Sequence, residues 1–333
     1  MSKNKKIIIM FLILTAVFVM SFGIGKYSIN PINVVKVLLS KFIPLKKTWD
    51  DNTYTVIYQI RMPRILAALL IGSALSVAGC VYQGLFKNNM VSPEVLGASN
   101  GAGFGAALGI FFSIGYAKTT FLSFIVGLFA VSLAYFISEK SRADKTFSMI
   151  LAGIMVGSLF SAMISYLKLI ADTDNTLPAI TYWLMGSLAS IKMSDTVFVS
   201  IPIILSMIPL MLIRWRINIL TMGEEEAATL GINVKVLKVI IIVTATLMIS
   251  ASVSVSGIIG WVGLVIPHFA RMIVGYDYRY LLISSALLGS AFLIFVDNFA
   301  RNISTSEVPL GILTSFIGAP LFLYLIYKSG ENK

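Results

Sequence analysis

Charged and reactive side chains are scarce in this chain. Of its 333 residues only 12% are charged, and it has one histidine, His268, and one cysteine, Cys80. A single cysteine within an apolar run excludes a disulfide framework and a cysteine metal cluster, and leaves the redox compartment open. His268 has no second histidine, cysteine or carboxylate pair near it in sequence, so it reads as a structural residue near a helix end, not a metal ligand or an acid/base group. Gly25-Lys26 resembles the end of a phosphate loop, but Met20 and Tyr27 stand where that motif needs glycine and serine or threonine. Ionisable groups within the apolar runs are almost missing. Asp297 is the nearest to an exception, and its spacing to Arg301 matches an i to i+4 ion pair at a helix end. No chain of such groups exists to relay protons, which argues against an ion-driven carrier, although backbone carbonyls can hold sodium without leaving a trace in the sequence.

Apolar residues make up the bulk of what is present, at 57% hydrophobic, far above a soluble domain. The fold class expected is an all-α integral membrane protein forming one domain over 1–333. The net charge of +11 comes from basic residues scattered singly between apolar runs, with no basic stripe, so it speaks for membrane topology and against nucleic acid. A hydrocarbon core of about 30 Å needs roughly 20 apolar residues per helix. Ten runs of about that length fall at 7–26, 62–83, 94–114, 119–138, 146–168, 194–213, 236–257, 258–275, 280–298 and 309–327. The boundary between the seventh and eighth is the least marked. Lys3, Lys5 and Lys6 precede the first run, whose length and lack of a small-x-small cleavage pattern predict a retained anchor. About ten spans with the N-terminus inside place both termini in the cytoplasm. Every short inner loop then carries basic residues, Arg271 among them, as the positive-inside rule requires. Segment 27–60 falls outside, where Lys36, Lys41, Lys46 and Lys47 alternate with Val34, Val35, Leu38, Leu39 and Phe42, the pattern of an amphipathic helix on the outer membrane surface.

Two local patterns stand out. Gly97, Gly101, Gly105 and Gly109 recur every four residues, a stripe on which another helix can pack closely; Ser92-Pro93-Glu94 before it has the order of a helix start. A dinucleotide fingerprint at Gly101 to Ala106 is excluded because no strand precedes it. The second pattern is the polar island 214–235. Thr221 and Glu224 have capping-box spacing, Glu224, Glu225 and Glu226 fall where a helix N-terminus favours acids, and Gly231 suits the far end. A short helix built into such an island implies a partner to press against; the other reading is a plain interfacial loop.

The chain from Arg61 onward resembles the FecCD-type permease subunits of iron-siderophore, haem and cobalamin importers of the ATP-binding-cassette class. The resemblance lies in Arg61-Met-Pro-Arg64, Gly79-Cys-Val-Tyr-Gln-Gly-Leu-Phe-Lys-Asn88, Ser92-Pro-Glu-Val-Leu-Gly97, Trp183-Leu-Met-Gly-Ser187, Gly223-Glu-Glu-Glu-Ala-Ala-Thr-Leu-Gly231, Gly257-Ile-Ile-Gly-Trp-Val-Gly-Leu-Val-Ile-Pro-His268 and the run from Pro309-Leu-Gly-Ile312 to Pro320. Departures are small: three glutamates where two are usual, Asn89 for a proline, and Trp261 for a phenylalanine. The resemblance implies the type II importer fold in the cell membrane, two copies of the permease with the substrate path between them, and two ATPase subunits beneath. It also implies an extracellular or periplasmic binding protein that delivers the cargo. No cofactor is bound by the chain itself, ATP being used by the partner. Gly223, Glu224, Glu225, Ala228, Leu230 and Gly231 are then the ATPase-coupling residues. Arg61, Arg64 and Arg301, all external in the topology above, are docking residues for glutamates of the binding protein, unless they meet lipid headgroups instead. Ferric siderophore is the commonest cargo of the class; haem, cobalamin and oxyanions such as molybdate are the alternatives.

Overall fold

The computed structural model describes residues 2–330 except 42, 44–46, 48 and 305, so Phe42 and Lys46 of the external segment lie outside the described residues. The chain begins with α1 (Lys3–Ser21), capped by the Ser2 hydroxyl, and α2 (Pro31–Leu39), capped by Asn30 with proline in its first turn. Next, α3 (Asp51–Thr55) runs through a π-helical turn, Val56–Arg61, into α4 (Met62–Leu85) without a break. The last part of the expected surface segment therefore belongs to a continuous 35-residue helix, Asp51–Leu85. The amphipathic expectation holds for α2 in part. Val34 and Val37 are buried against the bundle while Ile32, Val35 and Leu39 stay exposed, so α2 is apolar on both faces.

After a 3-10 turn at Pro93–Leu96 come α5 (Ala98–Phe111), α6 (Tyr116–Lys140), α7 (Lys145–Ile170), the short α8 (Thr176–Leu184) and α9 (Met193–Met222). The chain closes with α10 (Glu224–Thr229), α11 (Val234–Ser256), α12 (Val262–Val274), α13 (Tyr278–Asn302) and α14 (Leu310–Gly330). Each of the ten apolar runs contains a helix, but the helices are unequal. Seven are long and apolar enough to cross a bilayer, counted among the described residues. The third run is cut short: Ser92-Pro93-Glu94 starts only a 3-10 turn, Gly97 takes a left-handed conformation at φ +82°, and α5 begins after it. Its 14 residues reach about 21 Å at 1.5 Å per residue, short of the hydrocarbon thickness. Likewise the weakly marked boundary between the seventh and eighth runs is a real break, residues 257–261, before the 13-residue α12.

Helix α4 is the axis of the bundle. From Pro63 to Leu85 nearly every residue is buried, surrounded by α9, α11, α12 and α13. Backbones meet there through glycine pairs. A Cβ added at Gly79 would lie 1.8 Å from the Gly263 carbonyl oxygen of α12, and one at Gly72 would lie 2.3 Å from that of Gly289 on α13. In lipid, where apolar side chains gain nothing by leaving solvent, such close approach is what holds helices together. The glycine stripe acts similarly on a smaller scale. Gly101, Gly105 and Gly109 face α6, meeting Ala130, Ser123 and Thr119, whereas Gly97 turns to Gly153 and Gly157 of α7.

The two ends of the bundle are distinct. At one, Lys6 donates to the Ile273 carbonyl and Lys3 lies 5.1 Å above the Tyr280 ring, so the start of α1 sits beside the α12–α13 turn. In the same turn Asp277 caps α13 and accepts from Asn218 of α9 at 2.8 Å, while Asn218 accepts from the Tyr278 amide at 2.7 Å. Hydrogen bonds from Arg279 hold the Asp277 carboxyl well below the usual carboxylate range, so this tie persists until the pH falls through that lowered value. The end that carries the N-terminus thus also carries the end of α9 and the acidic helix α10 that follows it.

Candidate functional site

The polar island is not a loop along its whole length. Helix α9 continues through Arg214, Trp215 and Arg216 to Met222, 30 residues in all, or about 45 Å, so it outruns the hydrocarbon core. The expected capping box is not formed. Thr221 lies inside α9 and its hydroxyl donates to the Asn218 carbonyl at 2.6 Å, because an unbroken helix already supplies partners for its backbone. Gly223 is the N-cap instead, in extended backbone. Glu226 folds back over it so closely that a Cβ on Gly223 would meet its Oε2 at 1.3 Å. At the other end the amides of Gly231 and Ile232 donate to the carbonyls of Ala228 and Ala227, both at 3.0 Å, with Gly231 at φ +77°. This paired closure requires a left-handed residue, which glycine supplies without a side-chain clash.

The result is a six-residue helix clamped between two long ones. Ala227 is fully buried against them, and Glu224 pairs with Lys238 of α11 at 2.5 Å. Its outward surface carries Glu225, Glu226 and Ala228, with Met222 and Leu230 at 73% and 62% exposure on either side. Two large apolar side chains thus stay open on a polar segment, with acids between them.

At the opposite end the structure corrects the sequence reading. Arg61, Arg64 and Arg301 are 3%, 4% and 6% exposed. They are not free forks awaiting a partner's glutamates, because acids and carbonyls distant in sequence already occupy them. Arg64 Nε donates to both oxygens of Asp297, at 2.8 and 3.0 Å, and Nη1 donates to Glu307 at 2.9 Å. Arg301 makes the expected i to i+4 contact with Asp297 at 3.3 Å and also bonds Asn298, which in turn donates to Ser21 at 2.7 Å. Arg61 donates to the carbonyls of Phe22 and Tyr27, close beside Gly25. These arginines fasten α1, α4 and α13 together. Arg271, expected in an inner loop, is likewise buried, donating from α12 to Gln83 of α4 at 2.6 Å. Gln83 is a buried partner that the sequence does not assign to Arg271, although it lies within the Gly79 to Asn88 stretch.

A third feature joins three breaks. The Ser187 amide donates to Ser256, Leu310 to Gly186 and Gly311 to Met185, at 2.7, 2.8 and 3.1 Å. Gly186, Gly257 and Gly311 make this junction possible, since an added Cβ on any of them would lie within 2.5 Å of a backbone oxygen. Beside it opens a cleft of about 580 Å³ lined by Glu94, Met185, Ile258, Trp261, Ser315 and Phe316. Glu94 also lines a second cleft of about 750 Å³, with Ser92, Asn100, Ser158, Ser161 and Ser165. His268 sits part-buried on α12, and among the described residues no group of histidine, cysteine or acid could hold a metal ion.

Membrane-length helices, with a short acidic helix at one end and clefts along their breaks, define a multi-pass membrane protein. Comparison with known proteins agrees. Residues 12–328 match the FecCD transport family. The molybdate import system permease protein MolB of Haemophilus influenzae is 38% identical over 95% of this chain and 94% of its own length. The hemin transport system permease protein HmuU of Yersinia pestis is 36% identical over 87% and 90%. A solved metal-chelate type ABC transporter in an inward-facing conformation superposes with a TM-score of 0.88 at 37% identity, covering 98% of this chain and 99% of that one. The chain belongs to the FecCD transport family, as a multi-pass permease of the ATP-binding-cassette importers.

Proposed function

We propose that this permease carries an iron chelate, in the first instance a ferric siderophore, into the cytoplasm, and that α10 is where ATP hydrolysis on a partner subunit enters it. The exposed acidic helix with Met222 and Leu230 beside it carries this reading. A short helix clamped to two long ones passes a push from below into rigid-body rocking of the bundle. In the complete transporter two copies of the chain face each other, the clefts around Glu94 form the wall of the path between them, and two ATPase subunits dock on the two α10 helices. A substrate-binding protein delivers cargo at the end where Arg64 and Asp297 meet. The chain itself binds no cofactor; ATP is used by its partner. Likeness to a metal-chelate transporter supports the iron chelate, while likeness to MolB supports molybdate as the second reading.

The test is the double variant Glu224→Gln with Glu225→Gln in transporter reconstituted with its ATPase and binding protein. Uptake is expected to fall at least about tenfold, the loss of roughly 1.4 kcal/mol of coupling, while ATP hydrolysis continues. Uptake that persists unchanged and follows an ion gradient instead would mean a secondary carrier.

A further inference from the structure

We infer that Glu94 sets the charge preference of the groove, so that a neutral or positively charged cargo crosses it more readily than an anion. The inference deepens the proposed function and rests on its reading of these clefts as the path wall.

Three observations converge. First, the Glu94 carboxylate lies between both clefts, beside Gly260, without an ion pair or side-chain hydrogen bond among the described residues. Asp297, by contrast, is matched by Arg64 and Arg301, Asp277 by Arg279 and Glu224 by Lys238. Glu94 is also not needed to shape its own turn, since its backbone carbonyl, not its side chain, accepts from the Gly97 amide at 2.9 Å. Second, the other polar groups around it are neutral, and several turn a donor inward. Asn100 donates its amide to Gly157 at 3.0 Å, Ser158 its hydroxyl to Ile154 at 2.8 Å, Ser165 to Ser161 at 3.0 Å and Ser315 to Gly311 at 2.7 Å. What remains toward the groove is mixed, oxygens that accept beside the Ser92 and Ser161 hydroxyls, the second Asn100 amide hydrogen and the Trp261 indole that can donate, so the one charge on the wall is that of Glu94. Third, among the described residues no lysine, arginine or histidine lines either cleft.

A groove with one unpaired acid and no basic side chain favours a cation over an anion wherever Glu94 is ionised. An oxyanion such as molybdate would find no counter-charge there and would face Glu94. A hydroxamate-type iron chelate, neutral or cationic and carrying amide or ammonium donors, meets complementary groups along the same path. Neither α10 nor the buried arginines enter this preference.

The experiment places a cysteine at Ser161, exposed in the second cleft, in the complete transporter. Cys80 is fully buried and does not compete. Reaction rates are measured for a trimethylammonium and a sulfonate methanethiosulfonate reagent, each normalised to its rate with a free thiol. The expected normalised ratio favours the cation by well over tenfold, since one charge roughly 10 Å away at an effective dielectric constant of about 20 shifts each reagent's rate by about that factor, in opposite directions. Glu94→Gln is expected to remove that bias and Glu94→Asp to keep it, a rescue that a merely structural role would not produce. A ratio unchanged by Glu94→Gln overturns the charge preference and leaves the path reading standing. A cysteine that reacts with neither reagent, at rest or during ATP turnover, overturns both, while the Glu224 and Glu225 variant still reports separately on coupling.

Discussion

Replacing Asp297 with alanine is expected to destabilise the folded permease by about 3–5 kcal/mol, the usual cost of stripping one partner from a buried ion pair. Asp297 is 1% exposed and stands between Arg64 and Arg301, at 4% and 6%. Without it Arg64 keeps only Glu307, which is one-third exposed, and Arg301 keeps the Asn298 oxygen and backbone carbonyls. Two guanidinium groups would then share one carboxylate away from water. In detergent the apparent unfolding midpoint should drop by roughly 10 °C, given a few degrees per kcal/mol for a chain of this size. Combining Asp297→Ala with Arg64→Met should cost less than the sum of the single changes, because the second removes a charge that the first left unmatched. An unchanged midpoint for Asp297→Ala would show that the cluster is not what fastens α1, α4 and α13.

The second large effect is expected from Gly79→Val. Its first added carbon already falls 1.8 Å from the Gly263 carbonyl oxygen and 2.5 Å from its carbon, and both are backbone. No side chain can rotate away, so α4 and α12 must separate, and overpacking on that scale costs at least the upper end of the usual range, about 3 kcal/mol. The same separation displaces Gln83 from Arg271, exposing a buried charge. Gly157→Ala is the matched control. There the added carbon meets the Asn100 amide nitrogen at 3.1 Å, a side chain that can shift. The expected outcome is aggregation or loss of membrane yield for Gly79→Val and near-normal yield for Gly157→Ala, read by size-exclusion of detergent extracts.

Contrasts of this kind explain how far the sequence can be read. The stripe at Gly101, Gly105 and Gly109 is visible because all three lie on one helix at a period of four, and their partner α6 is the next helix along. The Gly79–Gly263 and Gly72–Gly289 contacts are just as close, yet each joins residues about two hundred apart, with no local period to show it. The arginines mislead for the same reason. Their position at helix ends is legible, but Asp297 and Glu307 come to Arg64 from more than two hundred residues away, and only the fold turns apparent surface charges into buried ones. At the acidic helix the location, the three glutamates and Gly231 are all local signals and are legible. Thr221 misleads because its spacing to Glu224 is that of a cap, while α9 simply continues through it. In sequence Glu94 marks only a helix start, and its place between two clefts follows from the three breaks at Gly186, Gly257 and Gly311, which meet only in the folded bundle.

The central claim, that α10 is the point where the ATPase subunit acts, is tested most directly by position 230. With Leu230→Cys in a chain whose only native thiol is buried, the assembled transporter is treated with a short bifunctional thiol reagent against cysteines placed along the cleft of the ATPase subunit. The account predicts a specific cross-link between permease and ATPase, and protection of the introduced thiol from a water-soluble maleimide in the assembled complex but not in the isolated permease. Equal maleimide labelling in both, with no cross-link at any ATPase position, would contradict it.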